Sequence, residues 1–266
     1  LSLHLLELFT SRVAKVGMTD GIRQVLQEES DALRAYYEQA GILIARPAGE
    51  TSCRLAISAK GGTNAENHNH NDVGSYAVAL GSETMVGDQG GPNSYPGDYF
   101  NGDAPQKYKI KGSFGHPVPV VNGRTQSSGG KAKGVVLQKE FTNEKDVFSI
   151  DYTSAYSTPN LDKLIRTFVY DRQGKGSFTV GDEFTAKTPI RFETAITTRA
   201  DWKILDDTHL LLATDSEQMI VAIEASGKVA FTSETIEVNS PAYTRIGIAL
   251  KNQSKEGYIR LKMYTK

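Results

Sequence analysis

The chain has 266 residues, 39% of them hydrophobic and 23% charged, with a formal net charge of −1. This length is enough for one large all-β unit or for two modest domains, each with its own core. The balance of 30 basic and 31 acidic residues lacks the basic excess of a nucleic-acid-binding domain, so we expect no nucleic-acid partner. An acidic polysaccharide is not excluded, because a neutral total can contain a local basic groove.

The single cysteine, Cys53, excludes an intramolecular disulfide. It lies in the apolar run 53–57, which predicts a buried strand residue, with a reactive thiol as the alternative. No apolar run approaches the roughly 20 residues needed to cross a membrane, so we expect no membrane partner. The opening Leu1-Ser2-Leu3-His4 has no Met and no basic leader, which predicts a fragment of a longer chain.

Residues 1–40 carry helical rather than strand patterns. Apolar residues recur at helix-like spacing up to Gly17, and a second helical segment runs from Thr19 to Ala40. Two short helices with exposed apolar faces make a poor free-standing domain. We therefore predict that residues 1–40 are the helical remnant of a domain that lies upstream.

From Gly41 onward, short apolar runs are separated by Gly, Asn, Pro and Asp. This pattern predicts a mainly β domain over 41–266, a large antiparallel β-sandwich of two packed sheets. The predicted strands are 42–46, 53–58, 75–80, 84–86, 118–121, 134–141, 147–152, 164–170, 177–184, 190–197, 202–205, 209–214, 219–225, 230–238, 243–250 and 257–264. Residues 88–115 hold no strand pattern, and a loop of that length in a compact domain usually has a function.

Three of the five histidines flank or enter this loop. In an extended Asn67-His68-Asn69-His70-Asn71-Asp72, the side chains of His68, His70 and Asp72 would share one face. Asp88 and His116 follow downstream. Two imidazoles and a carboxylate form a zinc-type donor set with an open fourth position for water.

Other interpretations of the histidines remain open at this point. They could lie in a surface loop or be satisfied within the core. The likeness to the name of the HNH nucleases is only lexical, since a basic surface is missing. A cupin needs a carboxylate three or four residues after the second histidine, and Asp72 comes too early and Glu83 too late.

The order of these motifs resembles that of the heparinase II/III-like polysaccharide lyases. The string 67–72 is followed by Asp88-Gln89-Gly90 with Tyr95 nearby, and then by His116 before the Val-rich run 118–124. Weaker matches follow at 151–156, 166–170 and 182–184. The sequence departs from the family pattern twice: Asp-Gln-Gly stands for Asp-Pro-Gly, and His116-Pro117 stands for His-Asn.

The resemblance implies that one structural zinc ion is held by His70, Asp88 and His116, while His68 faces a substrate cleft. It also implies that the sheet domain is the C-terminal part of a longer enzyme whose N-terminal domain is an (α/α) toroid. The helical residues 1–40 would then be the last turns of the toroid. Without the toroid, we expect this portion to be inactive.

The reaction implied is β-elimination on a uronic-acid-containing polysaccharide, a glycosaminoglycan or alginate. His68 is the candidate for carboxylate neutralisation or proton transfer, because histidine exchanges protons near neutral pH. Tyr99 is the candidate for a second acid–base or substrate contact, with Tyr95 and Tyr108 behind it. Packed loop aromatics are the alternative for all three tyrosines. Zinc is expected to fix the loop 88–116 rather than to act as a Lewis acid.

Several further expectations complete the prediction. Arg124 and Gln126 could contact anionic sugar, since arginine binds carboxylate and sulfate in a fork, and a solvated turn arginine is the alternative. Asp72 is expected to orient an imidazole. The alternative function is a non-catalytic, zinc-stabilised carbohydrate-binding or scaffold module. The resemblance implies a periplasmic or extracellular location, and a homodimer is left open.

Overall fold

A computed structural model describes residues 32–49, 51–88, 90–237 and 241–266. The helices predicted within residues 1–40 fall mostly on residues 1–31, outside the described part of the chain. Their helical structure and their origin in a toroid therefore stay predictions. No helix in the described ranges has the length and hydropathy needed to cross a membrane.

The end of the second predicted helix is wrong. Arg34–Tyr37 is a strand that pairs antiparallel with Ile42–Ala45. The ring of Tyr36 lies 5.7 Å from the rings of Phe141 and Phe148. Aromatic residues fit a half-buried sheet surface well, and this tertiary packing outweighs the helical spacing. The first β-hairpin therefore spans the domain boundary predicted at residue 40.

The described residues form nineteen strands, one short helix and two 3₁₀ turns. In chain order they are β1 (Arg34–Tyr37), β2 (Ile42–Ala45), β3 (Leu55–Lys60), β4 (Thr63–Asn64), β5 (Tyr76–Leu80), β6 (Glu83–Val86), α1 (Ala104–Lys107), the turn Ser113–Gly115, β7 (Val120–Val121), β8 (Gly129–Lys133), β9 (Val135–Phe141), β10 (Lys145–Asp151), the turn Thr153–Ala155, β11 (Leu161–Asp171), β12 (Ser177–Ile190), β13 (Phe192–Thr198), β14 (Asp201–Asp206), β15 (His209–Ala213), β16 (Gln218–Ala225), β17 (Val229–Ile236), β18 (Tyr243–Leu250) and β19 (Ser254–Thr265).

Backbone hydrogen bonds join these strands into four sheets. Their orders are β1-β2-β3-β5-β6, β14-β15-β16-β19-β12-β11-β10-β9, β17-β18-β13-β7 and β4-β8. The strand pairs are antiparallel, which confirms the predicted antiparallel β-sandwich. Each predicted run overlaps a strand. The sequence did not predict β1, β4 and β8, which are short or begin with glycines.

One apolar core is shared by the five-stranded, eight-stranded and four-stranded sheets. In β3, Leu55 and Ile57 are buried and alternate with half-buried residues, as in a strand with one face in a core. Tyr76 on β5 lies 6.2 Å from Phe168 on β11 and 5.9 Å from Phe178 on β12. These rings belong to one apolar cluster. Burial of each such aromatic side chain contributes about 1.5–3 kcal/mol to the free energy of unfolding. The packed sheets therefore form a stable frame for the loops.

Two connections on this frame carry the predicted site residues. Residues 61–75 join β3 to β5 and include β4, and residues 87–119 join β6 to β7. The described residues of the second connection contain α1 and a 3₁₀ turn but no strand, as predicted. The amide of Gly87 donates to the carbonyl of Thr197 at 3.0 Å. This bond fixes the start of the loop against β13.

Candidate metal centre and adjoining surface

The extended conformation considered for residues 67–72 is not present. The string is a loop in which His68 has a φ of 57°, an uncommon value for a residue other than glycine. His68 is exposed, His70 is half-buried and Asp72 is buried. Strand alternation therefore does not bring these three side chains to one face. Hydrogen bonds from outside the string shape it instead.

Gln126 supplies several of these hydrogen bonds. Its Oε1 accepts from Nδ2 of Asn64 at 3.0 Å and from the amide of Val73 at 3.1 Å, and its Nε2 donates to the carbonyl of Val73 at 2.7 Å. Its own amide donates to Oγ of Ser113 at 2.8 Å. Gln126 is buried, so the prediction that it contacts sugar is wrong. Residues 65–75 contain His68 and His70, and we call them the histidine loop. Gln126 holds this loop against the turn that precedes His116.

Asp88 is buried two residues after the end of β6. Its Oδ2 accepts from Oγ of Ser75 at 2.8 Å, and its Oδ1 lies 3.0 Å from Nδ1 of His116. Burial alone would raise the pKa of Asp88, but the charge of the nearby His116 and the hydrogen bond from Ser75 outweigh burial and hold the pKa well below its usual value. The carboxylate is therefore ionised at neutral pH.

His116 follows the 3₁₀ turn Ser113–Gly115 and is 1% exposed. Burial alone would lower the pKa of His116, but the Asp88 carboxylate outweighs burial and raises it. Neither ring nitrogen makes a hydrogen bond of good geometry with any described residue, despite the 3.0 Å approach of Nδ1 to Asp88. Because buried polar atoms are nearly always hydrogen-bonded, an unsatisfied buried imidazole fits a metal ligand.

Asp72 completes a buried group with these two residues. Asp72, Asp88 and His116 each offer one ligand atom, and the three atoms lie within 4.8 Å of one another. The group could hold a metal ion. Asp72 also forms an ion pair with Nζ of Lys60. No described hydrogen bond joins Asp72 to an imidazole, so the role predicted for it, orienting a histidine, is not seen.

His70, the third predicted ligand, lies beside this group rather than within it. Its ring centroid is 5.3 Å from that of His116, and its Nε2 is 3.0 Å from the hydroxyl of Tyr99. Burial, and next the charge of His116, lower the pKa of His70 to about 4. Its imidazole is therefore neutral at neutral pH, the form in which histidine binds metals.

Aromatic side chains lie beside His70 and His68. We call Tyr95, Tyr99 and Phe100 the aromatic shelf. Tyr99 is 1% exposed, whereas Tyr95 is 56% and Phe100 50% exposed. Ring centroids are 5.1 Å apart for Tyr95–Phe100, and His68 lies 4.9 Å from Phe100. Phe100 was not among the predicted site residues, although its position next to Tyr99 is a signal that could have indicated it.

Lys111, also missed from the sequence, lies under the shelf. Its Nζ donates to the carbonyl of Tyr99 and lies 4.8 Å and 4.9 Å from the ring centroids of Tyr99 and Phe100. Such cation–π contacts are attractive. The carbonyl of Lys111 accepts from the amide of Asn71 at 2.9 Å. Lys111 therefore joins the shelf to the histidine loop.

Two predicted residues remain. Tyr108 packs beside the shelf, with its ring centroid 5.4 Å from that of Tyr99, whereas Arg124 lies apart from these contacts. Tyr108 donates its hydroxyl to Asp98. Arg124 is exposed in a turn where Asn122 and Gly123 have φ values of 51° and 76°, and its amide donates to the carbonyl of Val121 at 2.9 Å. A sugar-binding role for Arg124 stays a prediction.

Fold and buried group together define an antiparallel β-sandwich with a candidate metal centre in its loops. A heparinase III structure has the same fold, with a TM-score of 0.68 and 19% identity, covering 87% of this chain. A heparan sulfate lyase from Pedobacter heparinus has a TM-score of 0.70 and 15% identity, covering 89%. A second heparinase III structure has a TM-score of 0.68 and 12% identity, also covering 89%.

These likenesses confirm the fold expected from the resemblance to heparinase II/III-like lyases. The chain covers 36% of each heparinase III structure and 37% of the heparan sulfate lyase, so it corresponds to a part of those longer proteins. No protein-family model and no curated protein matches the sequence.

Proposed function

We propose that this chain is the zinc-binding β-sandwich part of a polysaccharide lyase that acts on a glycosaminoglycan or on alginate. The fold shared with heparinase III and with a heparan sulfate lyase supports this proposal. We further propose that an upstream toroid domain completes the enzyme and that this portion alone is inactive. A large polymeric substrate fits a periplasmic or extracellular enzyme.

One observation carries the proposal: a continuous series of contacts links the exposed His68 to the buried group. The ring centroids of His68 and Phe100 are 4.9 Å apart, and those of Phe100 and Tyr99 are 5.4 Å apart. The Tyr99 hydroxyl lies 3.0 Å from His70, whose ring centroid is 5.3 Å from that of His116. The surface around His68 is thus connected to the candidate metal centre through Phe100, Tyr99 and His70.

We propose that zinc is held by His70, Asp88 and His116, because imidazole nitrogen and carboxylate oxygen are common zinc donors. Metal-binding histidines usually donate the other ring N–H to a partner, and the Tyr99 hydroxyl can fill that role at Nε2 of His70. The bound ion would supply a fixed charge that holds the loop 88–116. Asp72, already paired with Lys60, is the alternative third ligand.

In β-elimination, the proton on C5 of the uronate is removed, the C4–C5 double bond forms, and O4 leaves with a proton. The C5 proton is poorly acidic while the neighbouring carboxylate is charged, so that charge must be neutralised. His68, exposed in its loop, is proposed to neutralise the carboxylate or to transfer a proton. Positioned acid–base groups contribute about 10²–10⁴-fold.

The shelf and the exposed turn offer the substrate contacts. We propose that Tyr95 and Phe100, both about half exposed, pack against sugar rings beside His68. Arg124 is proposed to bind an anionic group of the polymer. Tyr99 is proposed to act as a second acid–base group or, since its hydroxyl meets His70, through that histidine.

The test measures the ultraviolet absorbance of unsaturated uronate products. The native full-length chain is incubated with heparin, heparan sulfate, chondroitin sulfate and alginate. We expect product from at least one polymer, and we expect His68→Ala to reduce turnover about 10²–10⁴-fold with zinc content unchanged.

His209→Ala is the matched control, because His209 lies on β15 and pairs with Asp206 rather than with the site. It should leave turnover unchanged. Normal turnover of His68→Ala would remove His68 from the mechanism. A zinc-loaded chain without product on any of the four polymers would favour the binding-module alternative.

A further inference from the structure

Arg166 on β11 is a fully buried charge that the proposed chemistry does not use. Its Nε and Nη2 donate to the two carboxylate oxygens of Asp182 at 2.7 Å and 2.6 Å. Burying an ion pair requires good geometry and further hydrogen bonds to offset the loss of hydration. The further hydrogen bonds of Arg166 therefore show which part of the structure the ion pair stabilises.

The third nitrogen of Arg166 joins the two loops of the candidate metal centre. Nη1 donates to the carbonyl of Gly74 at 2.7 Å and to the carbonyl of Pro117 at 2.8 Å. Gly74 immediately precedes Ser75, which donates to Asp88, and Pro117 immediately follows His116. One guanidinium thus fixes the main chain on both sides of the buried group.

Gly74, whose carbonyl accepts from Arg166, has a backbone conformation and surroundings that favour glycine. Gly74 has a φ of 86°, a region that residues with a Cβ rarely adopt. A Cβ there would lie 3.3 Å from the ring of Tyr152 and 3.6 Å from Cδ of Arg166. The absence of a side chain lets the Gly74 carbonyl meet the guanidinium at close range.

Asp182 is itself held in place from two directions. It accepts from the hydroxyl of Tyr152 at 2.6 Å and from Oγ1 of Thr194 on β13 at 2.7 Å. Oγ1 of Thr194 also lies 3.1 Å from Nη2 of Arg166. The arginine is therefore fixed to both the eight-stranded and the four-stranded sheets before it reaches the loops.

We propose that Arg166 is a positioning residue for the metal centre, transmitting the rigid geometry of the sheets to the loops that carry Asp88 and His116. The inference rests on the proposed metal site. A lysine cannot replace it, because a single ammonium cannot bind a carboxylate in a fork and reach two carbonyls at the same time.

Arg172 offers a matched control within the same chain. It is also buried and paired with a carboxylate, that of Asp146. It donates to the backbone carbonyls of Arg46 at 2.7 Å and Leu33 at 2.9 Å, so it holds the first hairpin and not the site. Arg166→Lys and Arg172→Lys thus remove equivalent sets of buried hydrogen bonds, the first beside the candidate metal centre and the second at the first hairpin.

The test compares both variants in the native full-length chain. Zinc affinity is measured by competition with a chelator, and amide hydrogen exchange is measured on the metal-free protein at Ser75 and Val118, which donate to Asp72 and His116. We expect Arg166→Lys to weaken zinc binding at least about tenfold and to speed exchange at both amides. Arg172→Lys should keep its zinc affinity within about twofold of the wild type and leave both amides unchanged.

Unchanged affinity and exchange in Arg166→Lys, or equal effects in both variants, would overturn the proposal. If the wild type binds no zinc, the metal site fails and the exchange comparison alone decides the role of Arg166. If Arg166→Lys does not fold, Thr194→Val replaces it, because it removes a hydroxyl that contacts both Arg166 and Asp182. It should speed the same two amides, and unchanged exchange would count against the proposal.

Discussion

The hydroxyl of Tyr99 lies 3.0 Å from Nε2 of His70, and the tyrosine is 1% exposed. In this geometry the hydroxyl meets the histidine rather than solvent. If Tyr99 acts through His70, Tyr99→Phe should weaken zinc binding about tenfold, as for other groups that orient a ligand. Zinc affinity by chelator competition, measured together with kcat and KM, checks this.

Tyr95→Phe is the control, since Tyr95 is exposed and the substitution keeps the ring that faces solvent. It should leave zinc affinity unchanged. Loss of turnover in Tyr99→Phe with zinc affinity retained would instead make Tyr99 a direct acid–base group.

The third zinc ligand can be assigned by two substitutions. His70→Ala should abolish zinc binding at micromolar metal, because it removes a ligand. Asp72→Asn should weaken zinc binding only partly, about 10–100-fold. Asp72 is paired with Lys60, so we expect it to lie beside the ion rather than to bind it. Bound zinc per chain is measured by elemental analysis. Retained zinc in His70→Ala with loss in Asp72→Asn would establish Asp72, Asp88 and His116 as the ligands.

Metal removal should loosen the loop 88–116 without unfolding the sandwich, whose core does not include it. A ligand that binds only the folded state stabilises it by about 2.7 kcal/mol at one hundred times its Kd. We therefore expect a lower melting temperature after chelation, together with proteolytic cleavage confined to the loop. Zinc should reverse both effects. Equal Tm and equal cleavage with and without zinc would contradict a structural role for the ion.

Much of the β-sandwich could be predicted from the sequence, because apolar runs separated by turn residues carry the strand period directly. The strand Arg34–Tyr37 could not, since its partner contacts with Phe141 and Phe148 are more than 100 positions away. The helical spacing around it was a local signal that tertiary packing overrode.

Asp88 and His116 of the buried group were among the predicted ligands, whereas its third member, Asp72, was predicted only to orient an imidazole. His70, Asp88 and His116 do lie near one another, although the string 67–72 is not a strand. The contacts that gather them come from Gln126 and Arg166, which are distant in sequence. No local pattern indicates which buried carbonyl such a side chain will reach.

The thiol of Cys53 gives a test of the core that is independent of function. Cys53 is 3% exposed, and its Sγ lies 3.6 Å from the hydroxyl of Tyr170. Buried thiols in such surroundings are inert. We expect no reaction with Ellman's reagent in the folded protein and one thiol per chain after denaturation. Cys53 is buried as predicted but lies two residues before β3 rather than in a strand, and rapid stoichiometric labelling of the folded chain would contradict this burial.

Anomalous diffraction at the zinc edge, from crystals of protein purified with zinc, tests the central claim most directly. We predict one peak within about 2.0–2.2 Å of a carboxylate oxygen of Asp88 and a ring nitrogen of His116. A zinc-loaded crystal with no peak between these two residues, or with zinc bound only at other carboxylates, would contradict it.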